Sequence, residues 1–413
     1  MSKSIVIVGT LDTKGEEIKY CADYIEGRGH KAIVMDIGIV GDPLFEPTIS
    51  KWKVMEAAGE SMENILALKS EAKAMAKMAE GASTIVKELY ASDRLDGILA
   101  LGGTMGTSLA LTMMKVLPLG VPKLILSTIA FSSLVPTDIT GEDLMMMKWG
   151  AGFRGINSIN IKVLQAAAGA ITGAAEAFSK KSASKMKPTV GITSMGGRKY
   201  VDMLRPALEQ RGYEPVVFHA SGGGDVLEQA IDEGLIDVVL DLALYEIANE
   251  VAGGMISGGK HRLERAGERG IPQIVAPIVD AVHWAGNLPL PRKFRNRPMH
   301  IHNWLVTAVA TTKEEKVKAG KLIAEKLNKA KGPTAVIIPT VPDKKAQLPG
   351  LNRLYDPEGM EALRKVLKSN LKPDIKVIEV ESGINEPPFI EKLLELFDEM
   401  TQRTHGEEGE PSS

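Results

Sequence analysis

The chain has 413 residues, and 50 Lys and Arg residues stand against 52 Asp and Glu residues, a formal net charge of −2. That length is enough for two or three domains, each with its own core. Apolar residues make up 44% and charged residues 25%, the proportions of a globular protein, which exclude an intrinsically disordered chain. Without a long basic block or ~18 consecutive apolar residues, the sequence predicts neither nucleic-acid binding nor a membrane span.

The chain has a single cysteine and an excess of glycine. Cys21 alone cannot form an internal disulfide, and the apolar run at residues 5–8 is too short for a signal peptide, so we expect a cytoplasmic protein. Glycine accounts for 41 residues, about 10% of the chain against a typical ~7%. Such an excess either punctuates tight turns or lets the backbone approach a ligand closely.

The first half alternates short β-branched runs with stretches of helical periodicity. Alternation of this kind with short connections predicts an α/β fold with a mostly parallel sheet flanked by helices. Residues 11–14 are predicted as a loop. The predicted strands are 4–9, 31–36, 96–101 and 123–127, and the predicted helices are 16–28, 67–89, 109–117 and 157–178.

The second half repeats this plan after Pro188. Arg28-Gly29 and Arg211-Gly212, which close the first helix of each half, lie 183 positions apart. We therefore predict two related Rossmann-like subdomains, at 1–180 and 188–400, with a disordered polar tail at 401–413. Chance similarity between two α/β sequences is the alternative to common ancestry. The predicted elements of this half are strands at 189–193, 214–219, 335–339 and 375–380 and helices at 200–210 and 357–369.

The strongest local signal is the segment LGGTMGTS at residues 101–108, between a predicted strand and a predicted helix. A glycine-rich turn there presents backbone N–H groups and the positive end of a helix dipole, which suit a phosphate, and hydroxyl groups add further donors. In such folds ligands bind at the carboxyl ends of strands. The alternative is a tight turn that binds nothing. The predicted contacts are Gly102, Gly103, Thr104, Met105, Gly106 and Thr107.

Asp12, Thr13 and Lys14 follow the first predicted strand and are expected at the same edge of the sheet. The lysine suits a phosphate, and the aspartate suits a metal ion or a hydroxyl group. The alternative is a capping box, in which Asp12 or Thr13 pairs with Glu16 at a helix start. The two interpretations are compatible.

The second half offers another glycine-rich segment after its second predicted strand, and we expect it to close over the ligand held by the first half. In place of the LGGTMGTS turn, the second half has the acids Asp241 and Glu246, which suit ribose hydroxyls or a metal ion. Glu246 at a helix start is also favoured by the helix dipole alone. The predicted contacts are Ser221, Gly222, Gly223, Gly224 and Glu246.

Several other features are interpreted as structural. Residues 254–261 (GMISGGKH) resemble a phosphate-binding loop, but His261 stands where Ser or Thr is required and no predicted strand precedes the segment. His300 and His302 have a spacing that suits two metal ligands on a strand but lack a third ligand, so no metal site is predicted. Cys21 lies on the apolar stripe of its helix and is predicted to pack in the core. The methionines at 145–147 are predicted to pack in a core or an interface.

Several segments together resemble the family of the ATP-binding domain at the amino end of the tomato tobamovirus-resistance protein and its bacterial and archaeal relatives. In order and spacing the resemblance covers nearly the whole chain. It is carried by GTLDTK (9–14), LGGTMGTSL (101–109), GVPKLILST (120–128), GIN (155–157), FHASGGGD (218–225) and EKLNKA (325–330).

The resemblance implies two Rossmann-like subdomains that form a homodimer and bind ATP, with or without Mg²⁺, near their junction. Carried over by motif, Asp12, Thr13, Lys14 and the turn at 103–106 are the implied nucleotide contacts. The chain departs from the family pattern at Gly152-Phe153-Arg154, where relatives carry an aspartate shortly before GIN, and at Ala310, where they carry an arginine. If those positions complete the site, this chain binds a different ligand or lacks activity.

The function predicted from these features is nucleotide binding, ATP first, in a cleft between the two subdomains. The predicted partners are a nucleotide or phosphorylated small molecule and a second copy of the chain, with neither nucleic acid nor membrane. One alternative is an enzyme acting on a phosphorylated small molecule or a keto acid, with Asp241, Glu246 and His219 as candidate groups. Another is an assembly or regulatory protein whose nucleotide sets the relative position of its halves. No catalytic residue is assigned.

Overall fold

The computed structural model describes residues 2–132, 134–135, 143–180, 187–196, 199–342 and 354–406, with side chains described as far as Thr401. Its internal contacts divide the chain into two compact units, Met1–Ser184 and Lys185–Ser413. Each unit is a mixed α/β structure built on a parallel sheet, so the predicted fold class is confirmed.

The first unit contains a five-stranded parallel sheet with the order β2-β1-β3-β4-β5. The four predicted strands are present within one residue of their expected bounds. The fifth strand was not predicted, because a run of methionines lacks β-branched residues and lies at a partly exposed edge of the sheet. The strands are β1 (Ser4–Gly9), β2 (Lys31–Asp36), β3 (Gly97–Gly102), β4 (Lys123–Ser127) and β5 (Met145–Lys148).

Helices cover both faces of this sheet, and two of them begin earlier than predicted. Thr10 and Gly103 have extended backbones at the N-cap positions, so the first turns of α1 and α5 take in polar residues that carry no apolar periodicity. The predicted helix 67–89 is divided, because Ser70 caps a new helix through the N–H of Lys73. The helices are α1 (Leu11–Gly27), α2 (Lys51–Ala57), α3 (Met62–Ala67), α4 (Glu71–Ala91), α5 (Thr104–Met114) and α6 (Asn160–Ala177).

Alternate residues of the strands supply two separate cores. Val6 and Val8 pack on one face with α4 and α5, whereas Ile5 and Ile7 pack on the other with α1 and α6. Cys21 belongs to the second of these cores, and its burial raises the pKa of the thiol to about 12. The thiol therefore stays protonated and unreactive, as its place on the apolar stripe predicts.

The second unit has a six-stranded parallel sheet with the order β14-β13-β9-β8-β6-β7 and a small antiparallel sheet with the order β10-β12-β11. The strands β7, β6, β8 and β9 repeat the arrangement of β2, β1, β3 and β4 in the first unit. The strands are β6 (Thr189–Ser194), β7 (Glu214–His219), β8 (Val238–Asp241), β9 (Gln273–Val275), β10 (Ala281–Ala285), β11 (Met299–Ile301), β12 (Val306–Ala310), β13 (Thr334–Pro339) and β14 (Lys376–Val380).

The last helix of the second unit extends further than composition predicts. It ends at Gly406, so the first six residues of the expected disordered tail at 401–413 are helical, and residues 407–413 lie outside the described part of the chain. Most of the basic stretch 180–187 also lies outside it. The helices are α7 (Lys199–Gln210), α8 (Gly223–Asp232), α9 (Tyr245–Ala252), α10 (Arg265–Arg269), α11 (Lys313–Leu327), α12 (Pro357–Asn370) and α13 (Pro387–Gly406). None of the described helices is both long and apolar enough to cross a bilayer.

Candidate functional site

The strand order of the first unit places a crevice between the carboxyl ends of β1 and β3. Connections leave these two strands toward opposite faces of a sheet with this order, and ligands bind in the gap that results. Residues 10–14 follow β1, and residues 102–107 end β3 and begin α5. We call these two segments the first-unit edge. The structure therefore places both of the predicted contact segments of the first half at the switch point of one sheet.

The glycine turn combines close packing with an open cap. A Cβ atom on Gly102 would lie 2.6 Å from the Cα atom of Gly106, so α5 packs directly on the end of β3 and both positions are structural. Gly103, by contrast, has only the Thr128 Oγ1 atom within 4 Å of its Cβ direction, at 3.6 Å. As the N-cap of α5 it supplies no side-chain acceptor to the first-turn N–H groups. The amides of Thr104, Met105 and Gly106 thus form an uncapped donor group.

The threonines of this turn have different surroundings. Thr104 is exposed beside Met105, which is 41% exposed. Thr107 is buried, and its hydroxyl group shares a 2.7 Å hydrogen bond with the Oγ atom of Ser127. The Thr107 side chain therefore joins α5 to β4, in contrast to the expectation that it donates to a ligand.

Lys14 is half-buried in the first turn of α1, not in a loop as predicted. Its Nζ atom donates to Thr10 Oγ1 at 3.1 Å and to Thr13 Oγ1 at 3.2 Å, which leaves one of its three N–H bonds for another acceptor. Burial lowers the pKa of Lys14, with a smaller contribution from Arg154, while Asp12 and Glu17 act in the opposite direction. Its backbone is not helical, with φ −134° and ψ 20°.

Asp12 faces the loop that follows β2. A Cβ atom on Gly41, which has a φ of +79°, would lie 2.8 Å from Asp12 Oδ2, so only glycine fits there. Asp36, at the end of β2, accepts the N–H groups of Leu11 at 3.1 Å and Gly38 at 2.9 Å. Asp36 therefore fixes the entry to α1 with its carboxylate. No group of three potential metal ligands occurs among the described residues.

The glycine segment of the second unit already binds an anion from its own chain. Gly222, the left-handed N-cap of α8 with a φ of +104°, and Gly224 donate their N–H groups to Glu246 Oε1 at 2.9 and 3.0 Å. Glu246 is only 2% exposed. The structure thus brings the predicted contacts Gly222, Gly223, Gly224 and Glu246 together, but as partners of one another. This arrangement differs from the expected contacts with a nucleotide.

A buried arginine neutralises this carboxylate. Arg262 donates to Glu246 Oε2 through Nε at 2.5 Å and to Asp241 through Nη1 and Nη2 at 2.5 and 2.7 Å. Its Nη1 atom also lies 3.6 Å from Glu228 Oε1. We call Glu228, Asp241, Glu246 and Arg262 the Arg262 cluster. Asp241 and Glu246 are therefore internal ion-pair partners, and a role on ribose hydroxyls or a metal would require them to leave Arg262.

Glu228 carries the excess negative charge of the Arg262 cluster. Its carboxylate accepts the N–H groups of Leu263 at 2.5 Å and Arg265 at 2.8 Å. Burial nevertheless raises the pKa of Glu228 to about 7, against the opposing effect of Arg262. Burial is the main cause of this direction, and the nearby charge of Asp241 adds a smaller effect in the same direction.

Ser221 and His219 form an exposed pair. The Oγ atom of Ser221 lies 2.5 Å from His219 Nδ1, and the N–H group of Gly196 donates to His219 Nε2 at 3.3 Å. In the neutral ring, the proton is therefore on Nδ1 and is donated to the serine. A histidine that donates to the hydroxyl group cannot accept its proton, so the pair does not have the arrangement of an activated nucleophile.

The sequence reasoning missed Arg262, whose partners lie 16 and 21 positions away along the chain. Residues 254–261, which were compared with a phosphate-binding loop, form the irregular connection between α9 and α10 that leads into Arg262. A Cβ atom on Gly258 would lie 2.6 Å from the Cδ atom of Arg262. Gly258 thus permits close approach to the buried side chain of Arg262.

The fold and these two sites define a class: a two-unit parallel α/β protein with an uncapped glycine turn at the switch point of its first sheet. The chain belongs to the UPF0261 family. Residues 3–180 match the model described as the "Uncharacterised protein family (UPF0261) N-terminal domain", and residues 187–401 match its C-terminal domain.

Relatives extend over almost the whole chain. A UPF0261 protein of Brucella suis is 40% identical over 401 residues, covering 96% of this chain and 95% of the relative. A UPF0261 protein of Clostridium tetani is 38% identical over 406 residues, covering 96% of this chain and all of the relative. The tomato ToMV resistance protein Tm-1 is 28% identical over 438 residues, covering the whole chain and 57% of the tomato protein. The resemblance stated from the motifs is thereby confirmed.

Proposed function

We propose that the first unit binds a phosphate-bearing small molecule, ATP first, at the first-unit edge. The observation that carries this proposal is the turn at Gly103, which has no side-chain cap and follows the carboxyl end of β3 at the switch point of the sheet. Backbone N–H groups at a helix start bind phosphate through hydrogen bonds and the helix dipole. Lys14 adds a cation with a free N–H bond after the neighbouring strand.

The second unit supports binding rather than turnover as the proposed function. Asp241 and Glu246, the acids considered for chemistry, are held by Arg262. Both ring nitrogens of His219 have partners, Ser221 Oγ at Nδ1 and the N–H group of Gly196 at Nε2. None of these three groups is disposed to accept a proton from a substrate. We therefore propose a nucleotide-binding protein and assign no reaction to it.

The test is nucleotide-dependent thermal stabilisation of three forms of the full chain. Wild type is expected to melt at a higher temperature with millimolar ATP, because a ligand that binds only the folded state stabilises it. Gly103→Asp should abolish this shift by placing a carboxylate among the phosphate-binding amides. The matched control is Gly173→Asp on an exposed turn of α6, roughly 20 Å along the helix from Asn160.

Two results would contradict the proposal. One is the absence of stabilisation of wild type by any nucleotide at millimolar concentration. The other is a Gly103→Asp variant that is stabilised by ATP as much as wild type and Gly173→Asp.

A further inference from the structure

A loop after the first sheet is fastened to the start of α1 by two carboxylates. Glu17 Oε1 accepts the N–H group of Gly155 at 2.9 Å, and Glu16 Oε2 accepts that of Ile156 at 3.2 Å. Glu17 is only 1% exposed. Because α1 begins at the first-unit edge, these two bonds bring the loop to the same edge.

The loop is also fixed on its other sides. Trp149 Nε1 donates to the carbonyl oxygen of Gly152 at 2.8 Å, and Asn160 Nδ2 donates to that of Gly155 at 2.5 Å. Phe153 is buried in the core that α1 shares with α6. The φ angles of Gly152 and Gly155 are +80° and +85°, values that favour glycine on both sides of the loop. The backbone of Arg154 is thus held at a defined position.

The side chain of Arg154 has no partner within the described part of the chain. Its side chain is exposed, and its guanidinium group makes neither a hydrogen bond nor an ion pair with a described residue. The next two residues, Gly155 and Ile156, are bonded to Glu17 and Glu16, so Arg154 lies beside the start of the helix that carries Lys14. Its charge helps to lower the pKa of that lysine. The two nearest carboxylates on α1, Glu16 and Glu17, are occupied by the amides of the loop. Two cations at the start of α1, where the first-unit edge begins, suit an anion of more than one charge.

We propose that Arg154 and Lys14 together recognise a chain of two or more phosphates, whose first phosphate lies on the amides of the Gly103 turn. This inference rests on the proposed function and names its ligand class: nucleoside di- and triphosphates rather than monophosphates. The planar guanidinium group of Arg154 binds two phosphate oxygens at once, and the Lys14 ammonium group adds a compact charge. Glu16 and Glu17 are positioning residues, since they act through the loop that carries Arg154.

The experiment compares the affinities of ATP, AMP and inorganic tripolyphosphate by calorimetry. Wild type is expected to bind ATP and tripolyphosphate more tightly than AMP. Arg154→Gln should weaken both by about tenfold, the loss of one charge-assisted contact, and change AMP by less than about twofold. Arg154→Lys should recover part of the loss. The control is Arg94→Gln, which removes an exposed charge before the amino end of β3.

A variant of Glu16 tests the position of the loop separately from the charge of Arg154. Glu16 is exposed, so Glu16→Ala is not expected to disturb the fold. It should reduce the preference for ATP over AMP while Arg154 is still present, and it should speed amide exchange at Ile156. An unchanged preference together with faster exchange would show that Arg154 does not depend on this tether and would contradict the positioning role.

The outcomes distinguish this inference from the proposed function. If wild type binds ATP and Arg154→Gln leaves the ratio of ATP to AMP affinity unchanged, the function stands and the role of Arg154 is refuted. If tripolyphosphate binds in an Arg154-dependent manner but no nucleotide does, the two-cation site is supported and the nucleotide is refuted. If neither binds, both proposals fail.

Discussion

Helices α5 and α8 both begin at a glycine N-cap, but the N–H groups at their starts have different partners. Each follows a strand of a parallel sheet and has a glycine at its N-cap, so neither cap provides a side-chain acceptor. In α8 the donors are taken by Glu246, which Arg262 neutralises. In α5 no described side chain takes this place. A glycine N-cap, left-handed at Gly222 and extended at Gly103, therefore binds an internal carboxylate in the second unit and is a candidate ligand site in the first.

The difference teaches that a glycine turn alone does not identify a phosphate site. The decisive question is whether the chain supplies its own anion, and the answer depends on residues distant in sequence. Glu246 follows Gly222 by 24 positions, and Arg262 follows Glu246 by a further 16. A turn whose amides have no internal partner is the better candidate, because exposed donors at a helix start are otherwise satisfied only by water or a ligand.

The largest expected effect comes from removing the cation of the Arg262 cluster. Arg262→Met should cost about 3–5 kcal/mol of stability, because it leaves three buried carboxylates without a counter-charge. Hydrogen exchange of peptides that span α8 and α9 in the full chain measures this loss in the second unit. The control is Arg205→Met at an exposed position of α7, which should change stability by less than about 0.5 kcal/mol. A loss of stability below about 1 kcal/mol in Arg262→Met would contradict a structural role for the Arg262 cluster.

A smaller effect is expected when one glycine in each of the two turns is replaced by alanine. A Cβ atom on Gly224 would lie 2.3 Å from Glu246 Oε2 and 2.5 Å from Arg262 Nε, so Gly224→Ala should cost about 1–3 kcal/mol through overpacking. Gly103→Ala meets only Thr128 Oγ1 at 3.6 Å and should cost no more than about 1 kcal/mol, the loss of glycine at an N-cap. Thermal unfolding of both variants measures the contrast. Equal losses would mean that both turns are packed alike.

The sequence predicts strands β1 to β4 closely and the starts of α1 and α5 poorly, for one physical reason. β1 and β2 are β-branched runs, whereas the first turns of α1 and α5 consist of Asp12-Thr13-Lys14 and Thr104-Met105-Gly106, whose side chains show no apolar repeat. The position of both segments at one edge of the sheet was nevertheless predicted correctly, since the order of strands and turns is visible along the chain.

The Arg262 cluster and Arg154 were beyond sequence reasoning for another reason. Their roles depend on contacts between distant segments, such as Arg262 with Asp241 and Gly155 with Glu17. Nothing in the local pattern separates Arg262 from the exposed arginines around it. Only the burial of Arg262, which is 1% exposed, shows that its guanidinium group pairs with carboxylates inside the unit.

The smallest expected effect is a pH dependence that belongs to the second unit alone. Burial raises the pKa of Glu228 to about 7, so the folded state retains a proton that the unfolded state has lost above its ordinary pKa of 4.5. Stability from this group is therefore lost as pH rises through about 7. Between pH 6 and pH 8 the loss is about 1 kcal/mol, and denaturant unfolding at the two pH values measures it.

Glu228→Gln isolates this contribution because the amide does not titrate. The N–H groups of Leu263 and Arg265 bond to different oxygens of Glu228, so the amide keeps one of these bonds and loses the other, a cost in stability that does not change with pH. The variant should lose about 1 kcal/mol less than wild type between pH 6 and pH 8, whereas the exposed control Glu209→Gln should follow wild type. An identical pH profile in Glu228→Gln and wild type would mean that Glu228 stays ionised across this range. The Arg262 cluster would then hold three negative charges against one cation. The carboxylate of Glu246 would be bound to the start of α8 much less stably than its geometry indicates.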